Sequence, residues 1–208
     1  MIPAIDQCAA VWKPLACTAD DIALYAALTG AKNIREISEL AGYVAQPGYR
    51  LIHVDDRLKT FGDIGFEIAL VDDVQSSIAY YVEAALVRIP ETGNRPAVRY
   101  QVWRSASNRH SLALRDISQK VFFGYIVQHH DLLLAGDEIS GNGKHYWHRQ
   151  VSRAIEAGLS VSVYVQAAQR FRPVTTQCGL NDIQDQAWSH TNQEPLLALV
   201  SSTSTGDW

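Results

Sequence analysis

The sequence predicts an α+β fold. The expected core is a mixed, centrally mostly antiparallel sheet with a strand–Gly loop–helix–strand unit and helices packed on it. Three observations lead there. The stretch Asp131–Val165 changes period twice. It runs from a continuous apolar segment (Leu132–Ala135), to helical spacing (about Tyr146–Ala157), to strand alternation (Leu159–Val165). Residues 50–127 read as strands separated by turn residues. The chain of 208 residues is 47% hydrophobic and 19% charged, enough to bury one sizeable core, and is read as a single α/β domain over 1–208.

The central unit has a local cause at each boundary. Trp147, Val151, Ala154, Ile155 and Gly158 share one stripe at helical spacing. His148, Arg149, Ser152, Arg153 and Glu156 fall on the other side. Gly158 suits the left-handed position past a helix end. Leu132–Ala135 and Val161–Val165 are expected as neighbouring parallel strands, the usual outcome of strand–helix–strand. The loop entering the helix is Ser140-Gly141-Asn142-Gly143-Lys144. Its glycines let backbone approach a ligand, and the free N–H groups of a helix start favour a phosphate. The plainer reading is a tight connection and nothing more.

Known phosphate loops fail here. Gly136 and Gly141 fit the first part of G-x-x-x-x-G-K-[ST], but Asn142 stands where lysine is needed. The dinucleotide fingerprint lacks its third glycine. The order strand, [QR]-x-x-G-x-[GA] loop, helix, strand resembles the acyl-CoA-binding core of the GCN5-related N-acetyltransferase family. The hexad here is Glu138-Ile139-Ser140-Gly141-Asn142-Gly143, with Glu138 where the family carries Gln or Arg. The resemblance is confined to Asp131–Val165. It implies that Gly141, Asn142, Gly143 and Lys144 hold the diphosphate of acetyl-CoA or another acyl-CoA. The parted strand ends would then hold the pantetheine arm, with Glu138 or His130 as the base toward a small-molecule or protein amine.

Along the chain, residues 1–50 read as a helical part packed on the sheet. Thr18 caps a helix whose apolar face is Ile22, Ala23, Ala26 and Ala27, ending at Gly30. A second helix is expected over about Asn33–Gly42. Pro47 and Gly48 then break any recognition helix, which disfavours a helix-turn-helix. Tyr49–Val54 and Phe66–Val71 read as strands. Ile78–Ile89 reads as one long strand or as a helix. Val98–Arg104 alternates and forms a hairpin with the preceding run across residues 90–97. Residues 105–119 read as a loop with a short helix near Leu112–Ser118. Val121–Val127 reads as a strand that turns through His129-His130-Asp131 to pair with Leu132–Ala135. Later, Ala167–Phe171 reads as a short helix, 175–195 as polar loop, Leu196–Val200 as a final strand, and 201–208 as a flexible tail.

Composition narrows function. A net charge of −4 and a pI near 5.9 argue against general nucleic-acid binding. No apolar run reaches the length of a membrane span, and the N-terminus lacks a signal pattern, so a cytoplasmic protein is expected. Cys8, Cys17 and Cys178 make an odd count without C-x-x-C and read as reduced thiols, a Cys8–Cys17 disulfide being the lesser alternative. His145 and His148 are three apart and would need His190 or a carboxylate to hold zinc, so no metal site is assigned. No G-x-S-x-G, H-E-x-x-H or kinase signature occurs. His129, His130, Asp131, Asp137 and Glu138 gather at the two ends of one strand. They read either as a base constellation or as polar turns and a solvated rim.

Two classes of function are compatible with these residues. One is an acyl-CoA-dependent N-acyltransferase. The other is a non-catalytic binding or inhibitor protein, an adaptor or immunity-type partner, for which five tryptophans and nine tyrosines supply interface anchors. A protein partner or a homodimer is compatible with either.

Overall fold

A computed structural model describes residues 18–58, 64–89, 95–136, 143–165, 169–187 and 196–203. The fold is α+β with a mixed, mostly antiparallel nine-stranded sheet in the order β1-β2-β3-β4-β5-β6-β9-β7-β8. The strands are β1 Ile34–Glu36, β2 Tyr49–Asp55, β3 Gly65–Asp72, β4 Ser77–Val87, β5 Ala97–Arg104, β6 Asp131–Gly136, β7 Ser160–Val165, β8 Arg170–Pro173 and β9 Leu196–Ser201. The helices are α1 Thr18–Thr29, α2 Ile117–Gln119, α3 Val127–His129, α4 Gly143–Glu156 and α5 Gln177–Ala187. A 3-10 turn lies at Asn108–His110, and a π-helical run, Lys120–Ile126, joins α2 to α3. The chain divides into two compact units. Arg88–Val98 and Ile126–Trp208 belong to one; Pro3–Val87 and Arg99–Tyr125 belong to the other.

The unit built from Pro3–Val87 and Arg99–Tyr125 is a meander. β1, β2, β3 and β4 pair antiparallel in turn, with a register shift between Leu70 and Val71. The core on one face joins Leu28 of α1 to Ile52, Val54, Ala69, Val71, Ile78 and Tyr81, with Leu24, Tyr25, Ile34 and Trp103 packed against it. The run 78–89 is therefore a strand as far as Val87. Its length lets β4 cover all of β3, whose eight residues are buried.

Two expectations fail in this unit. Residues 33–42 are not a helix. Ile34–Glu36 pair with β2, and Leu40 is 65% exposed although its helical position would face inward. Strand pairing, with the Ser38 hydroxyl accepting from Leu51 N–H at 3.1 Å, outweighs the weak helical pattern. The region 1–50 is thus helical only through α1 among its described residues. Val121–Val127 is not a strand either. Val121, Phe122, Tyr125 and Ile126 are buried, the spacing of a helix face, and Lys120–Ile126 is π-helical. Gly124 permits this, because a Cβ there would lie 2.5 Å from the Ala41 carbonyl oxygen. The expected helix near Leu112–Ser118 is reduced to turns and α2.

The unit built from Arg88–Val98 and Ile126–Trp208 carries the strand–loop–helix–strand segment. α4 runs from Gly143 to Glu156, three residues earlier at its start than the expected Tyr146, and its stripe faces inward. Trp147, Val151 and Ala154 are buried, Ile155 is half-buried, and Arg149 and Glu156 are exposed. The Trp147 indole donates to the Leu134 carbonyl at 3.1 Å and ties the helix to β6. Gly158 (φ +73°) ends it, with Leu159 N–H donating to Ala154 and Gly158 N–H to Ile155. This is the paired C-terminal motif that satisfies the last carbonyls.

β6 and β7 are not neighbours. β9 lies between them and pairs antiparallel with both, so β6 and β7 point the same way two strands apart. β9 is thus a central strand, and its buried run Leu197–Val200 fits a place with neighbours on both sides. β6 pairs in parallel with β5 through Ala97–Asp131 and Val98–Leu132, in place of the expected hairpin with 121–127. The expected helix at Ala167–Phe171 is instead β8, paired with β7 through Arg170–Pro173; residues 166–168 lie outside the described residues. Part of the polar stretch 175–195 forms α5, started by Thr176, whose hydroxyl accepts from Gly179 N–H at 3.1 Å. In the tail, Ser201 closes β9, and 204–208 lie outside the described residues.

Candidate functional site

The loop singled out by sequence is described only in part. Glu138, Gly141 and Asn142 lie outside the described residues. Gly143 and Lys144 are the first two residues of α4, the element that follows β6 in the chain. α4 has 14 residues, long enough for its terminal N–H groups and dipole to favour an anion.

His130 lies at the other end of β6. The strand has six residues, so its two ends lie about 20 Å apart at 3.3 Å per residue. His130 is half-buried, its N–H donates to Ile126, and its ring lies 6.5 Å from that of His129. Asp131 beside it is fully buried. Arg95 Nε stands 3.4 Å from its Oδ1, while other nitrogens of Arg95 donate to the Val127 carbonyl (2.6 Å) and the Ser202 hydroxyl (3.2 Å). Burial pushes the Asp131 carboxyl above its ordinary range. The Ser201 hydroxyl and Arg95 act the other way, yet neither is aligned for a full hydrogen bond to it. Asp131 is therefore a buried anchor of residues 95–98 against β6. His145 is exposed and His148 half-buried on α4. Among the described residues no three His, Cys, Asp or Glu groups converge for a metal, and His190 lies outside them.

Three polar networks among the described residues of the other unit were not revealed by the sequence. His53 on β2 is 4% exposed, stacked on Phe66, with the Tyr125 hydroxyl 3.1 Å from Nδ1 and Asp55 Oδ1 2.8 Å from Nε2. A proton on Nε2 satisfies Asp55 and leaves Nδ1 to accept from Tyr125. Arg35, 3.2 Å from Nε2, is held by its charge on Asp55.

The second network is a buried ion pair. Glu67 on β3 is fully buried and receives Arg57 through two nitrogens and the Tyr81 hydroxyl. Burial and the Glu67 charge push the Tyr81 phenol far up, so it stays a donor. Glu83 lies directly across from Glu67, and Arg57 offsets that like-charge pairing.

The third network is centred on His110, 1% exposed. Arg109 Nε donates to its Nε2 at 3.0 Å, so the ring proton sits on Nδ1, 2.9 Å from the Tyr49 hydroxyl. Asp72 Oδ2 is 3.9 Å from Nδ1, and Asp72 Oδ1 accepts from Val74 and Gln75 N–H. Burial, then Arg109, holds His110 below its ordinary value. A signal for these networks existed: His53 and Glu67 are polar residues inside apolar strand runs, and a buried polar group needs a partner.

No family model, curated protein or solved structure matches this chain.

Proposed function

We propose that the chain is an acyl-CoA-dependent N-acyltransferase-like protein that passes an acyl group to an amine. The observation that supports this reading is the strand order. An antiparallel set, β1–β4, is followed along the chain by the segment β6, α4 and β7. That is the succession expected of the family which the Glu138–Gly143 hexad resembles. The start of α4 at Gly143 fits a diphosphate, with Gly141, Asn142, Gly143 and Lys144 as its holders. The bound group would supply the activated acyl carbon. The chain's own part is to hold the diphosphate, orient the amine and accept its proton. Glu138 is the base on the loop side of β6. His130 serves only if the acyl end reaches the far end of that strand.

One observation favours a second reading, a non-catalytic binding or inhibitor protein. β9 occupies the place between β6 and β7 where the pantetheine arm was expected, so that groove is filled by backbone pairing. Calorimetric titration of CoA into the folded chain separates the two. Micromolar binding supports the transferase; no heat leaves the binding protein. Whatever partner applies, no described helix is long and apolar enough to cross a membrane.

A further inference from the structure

We propose that Arg109 and His110 form an acid-released latch that fastens residues 108–116 to the start of β4. Arg109 is the bolt. Its Nε donates to His110 Nε2 at 3.0 Å, and another of its nitrogens donates to the Ser77 hydroxyl, the first residue of β4, at 3.1 Å. The first bond exists only while Nε2 carries no proton. A proton there sets two N–H donors head to head and two positive charges in contact.

The groups facing His110 decide where Arg109 goes when the ring is protonated. Arg109 opposes the proton. Asp72, from the end of β3, and Asp21, from α1, favour it, and Tyr49 of β2 is neutral and can turn its hydroxyl to accept or donate. Acid therefore exchanges one partner for another. The imidazolium keeps two carboxylates near it, while Arg109, already exposed, leaves for solvent. Ser77 then loses its guanidinium. The segment beyond the latch stays packed through buried Ala113 and Leu114 and the Tyr43 hydroxyl donating to the Ala113 carbonyl, so acid undoes the Arg109–Ser77 tie alone. Burial of His110 supports the arrangement, since it holds the ring neutral near pH 7.

The test is a proton–nitrogen spectrum of the full chain, following the Arg109 Nε–H signal and the His110 ring from pH 7.5 downward. The Arg109 signal should hold one position at pH 7.5 and move to that of a free guanidinium with the midpoint of the His110 ring, below 6.5. In His110→Gln, which offers an acceptor that does not titrate, the signal should keep its position across the range. In Arg109→Met, the His110 midpoint should move upward. A signal that keeps its position while His110 titrates, or a midpoint unmoved by Arg109→Met, overturns the latch. If His110→Gln does not fold, the wild-type titration and Arg109→Met decide it.

Discussion

The Tyr125 hydroxyl sits 3.1 Å from Nδ1 of His53, and both rings are buried, 4% exposed each. One comes from a helical run after the meander and the other from β2, so the bond fixes that run on the sheet face. Tyr125→Phe keeps the ring and removes the donor. With the Asp55 side of His53 already satisfied, the variant leaves Nδ1 without its phenol in a buried site. The expected loss is about 1–3 kcal/mol, the range for a buried acceptor deprived of its donor. Denaturant unfolding measures it, and a loss below about 0.5 kcal/mol would show the hydroxyl to be energetically idle.

Gly124 offers a test of the same helical run. Alanine normally favours a helix over glycine by about 1 kcal/mol. Here the added Cβ would meet the Ala41 carbonyl oxygen at 2.5 Å, and that oxygen is backbone with little room to move. Overpacking of this kind costs about 1–3 kcal/mol and outweighs the helix gain when the neighbour is rigid. Gly124→Ala should lower the unfolding midpoint; an unchanged or raised midpoint would mean that the run does not sit against Ala41.

These sites mark where the sequence was legible and where it was not. β2, β3, β5, β9 and α4 were read within a residue or a few, because each carries a full period and a stop, such as Gly158 for α4. Val121–Val127 was misread because β-branched and aromatic residues favour strands locally. The contact that decides for a helix, Gly124 on Ala41, is 83 residues distant in sequence. The insertion of β9 between β6 and β7 was hidden for a similar reason. Strand neighbours are set by pairing across the fold, and a strand–helix–strand pattern tells only that two strands point the same way. The hexad loop was legible as a helix entry, and α4 begins there. His53 and Glu67 were visible as polar intrusions in apolar runs, but their partners Tyr125, Asp55, Arg57 and Tyr81 were not.

Asp131 gives the chain a distinct pH response. Burial raises its folded value above the ordinary 3.8, so the folded state holds this proton more tightly than the unfolded one. The stabilisation tied to that proton is complete below about 3.8 and is lost as pH rises from there through the folded value. Asp131→Asn cannot titrate and should abolish this loss. The attraction of Arg95 for the ionised carboxylate is part of the same titration, so the slope is the diagnostic. Unfolding measured from pH 3 to 7 should show wild type losing stability relative to the variant as pH rises. Parallel curves would mean that Asp131 titrates alike in both states.

The remaining prediction bears on the start of α4. If Gly143 and Lys144 meet a diphosphate through their N–H groups, the ligand needs bare backbone at that point. Gly143→Val places a branched side chain at the mouth of the helix and should abolish CoA binding. Because a first-turn residue makes few intrahelical bonds, stability should fall by no more than about 1 kcal/mol, the scale of helix propensity. Lys144→Ala should weaken binding by less, about tenfold or below, since solvent and salt screen a single cation at a helix end. Glu138→Gln removes a negative charge from the loop and restores the residue type of the family that the hexad resembles. Binding should stay equal or tighten, while transfer to an amine should fall if Glu138 is the base. Calorimetry with CoA separates the first three effects, and an acetyl-transfer assay the fourth. Undiminished CoA binding in folded Gly143→Val would place the diphosphate away from α4 and remove the loop from the proposed function.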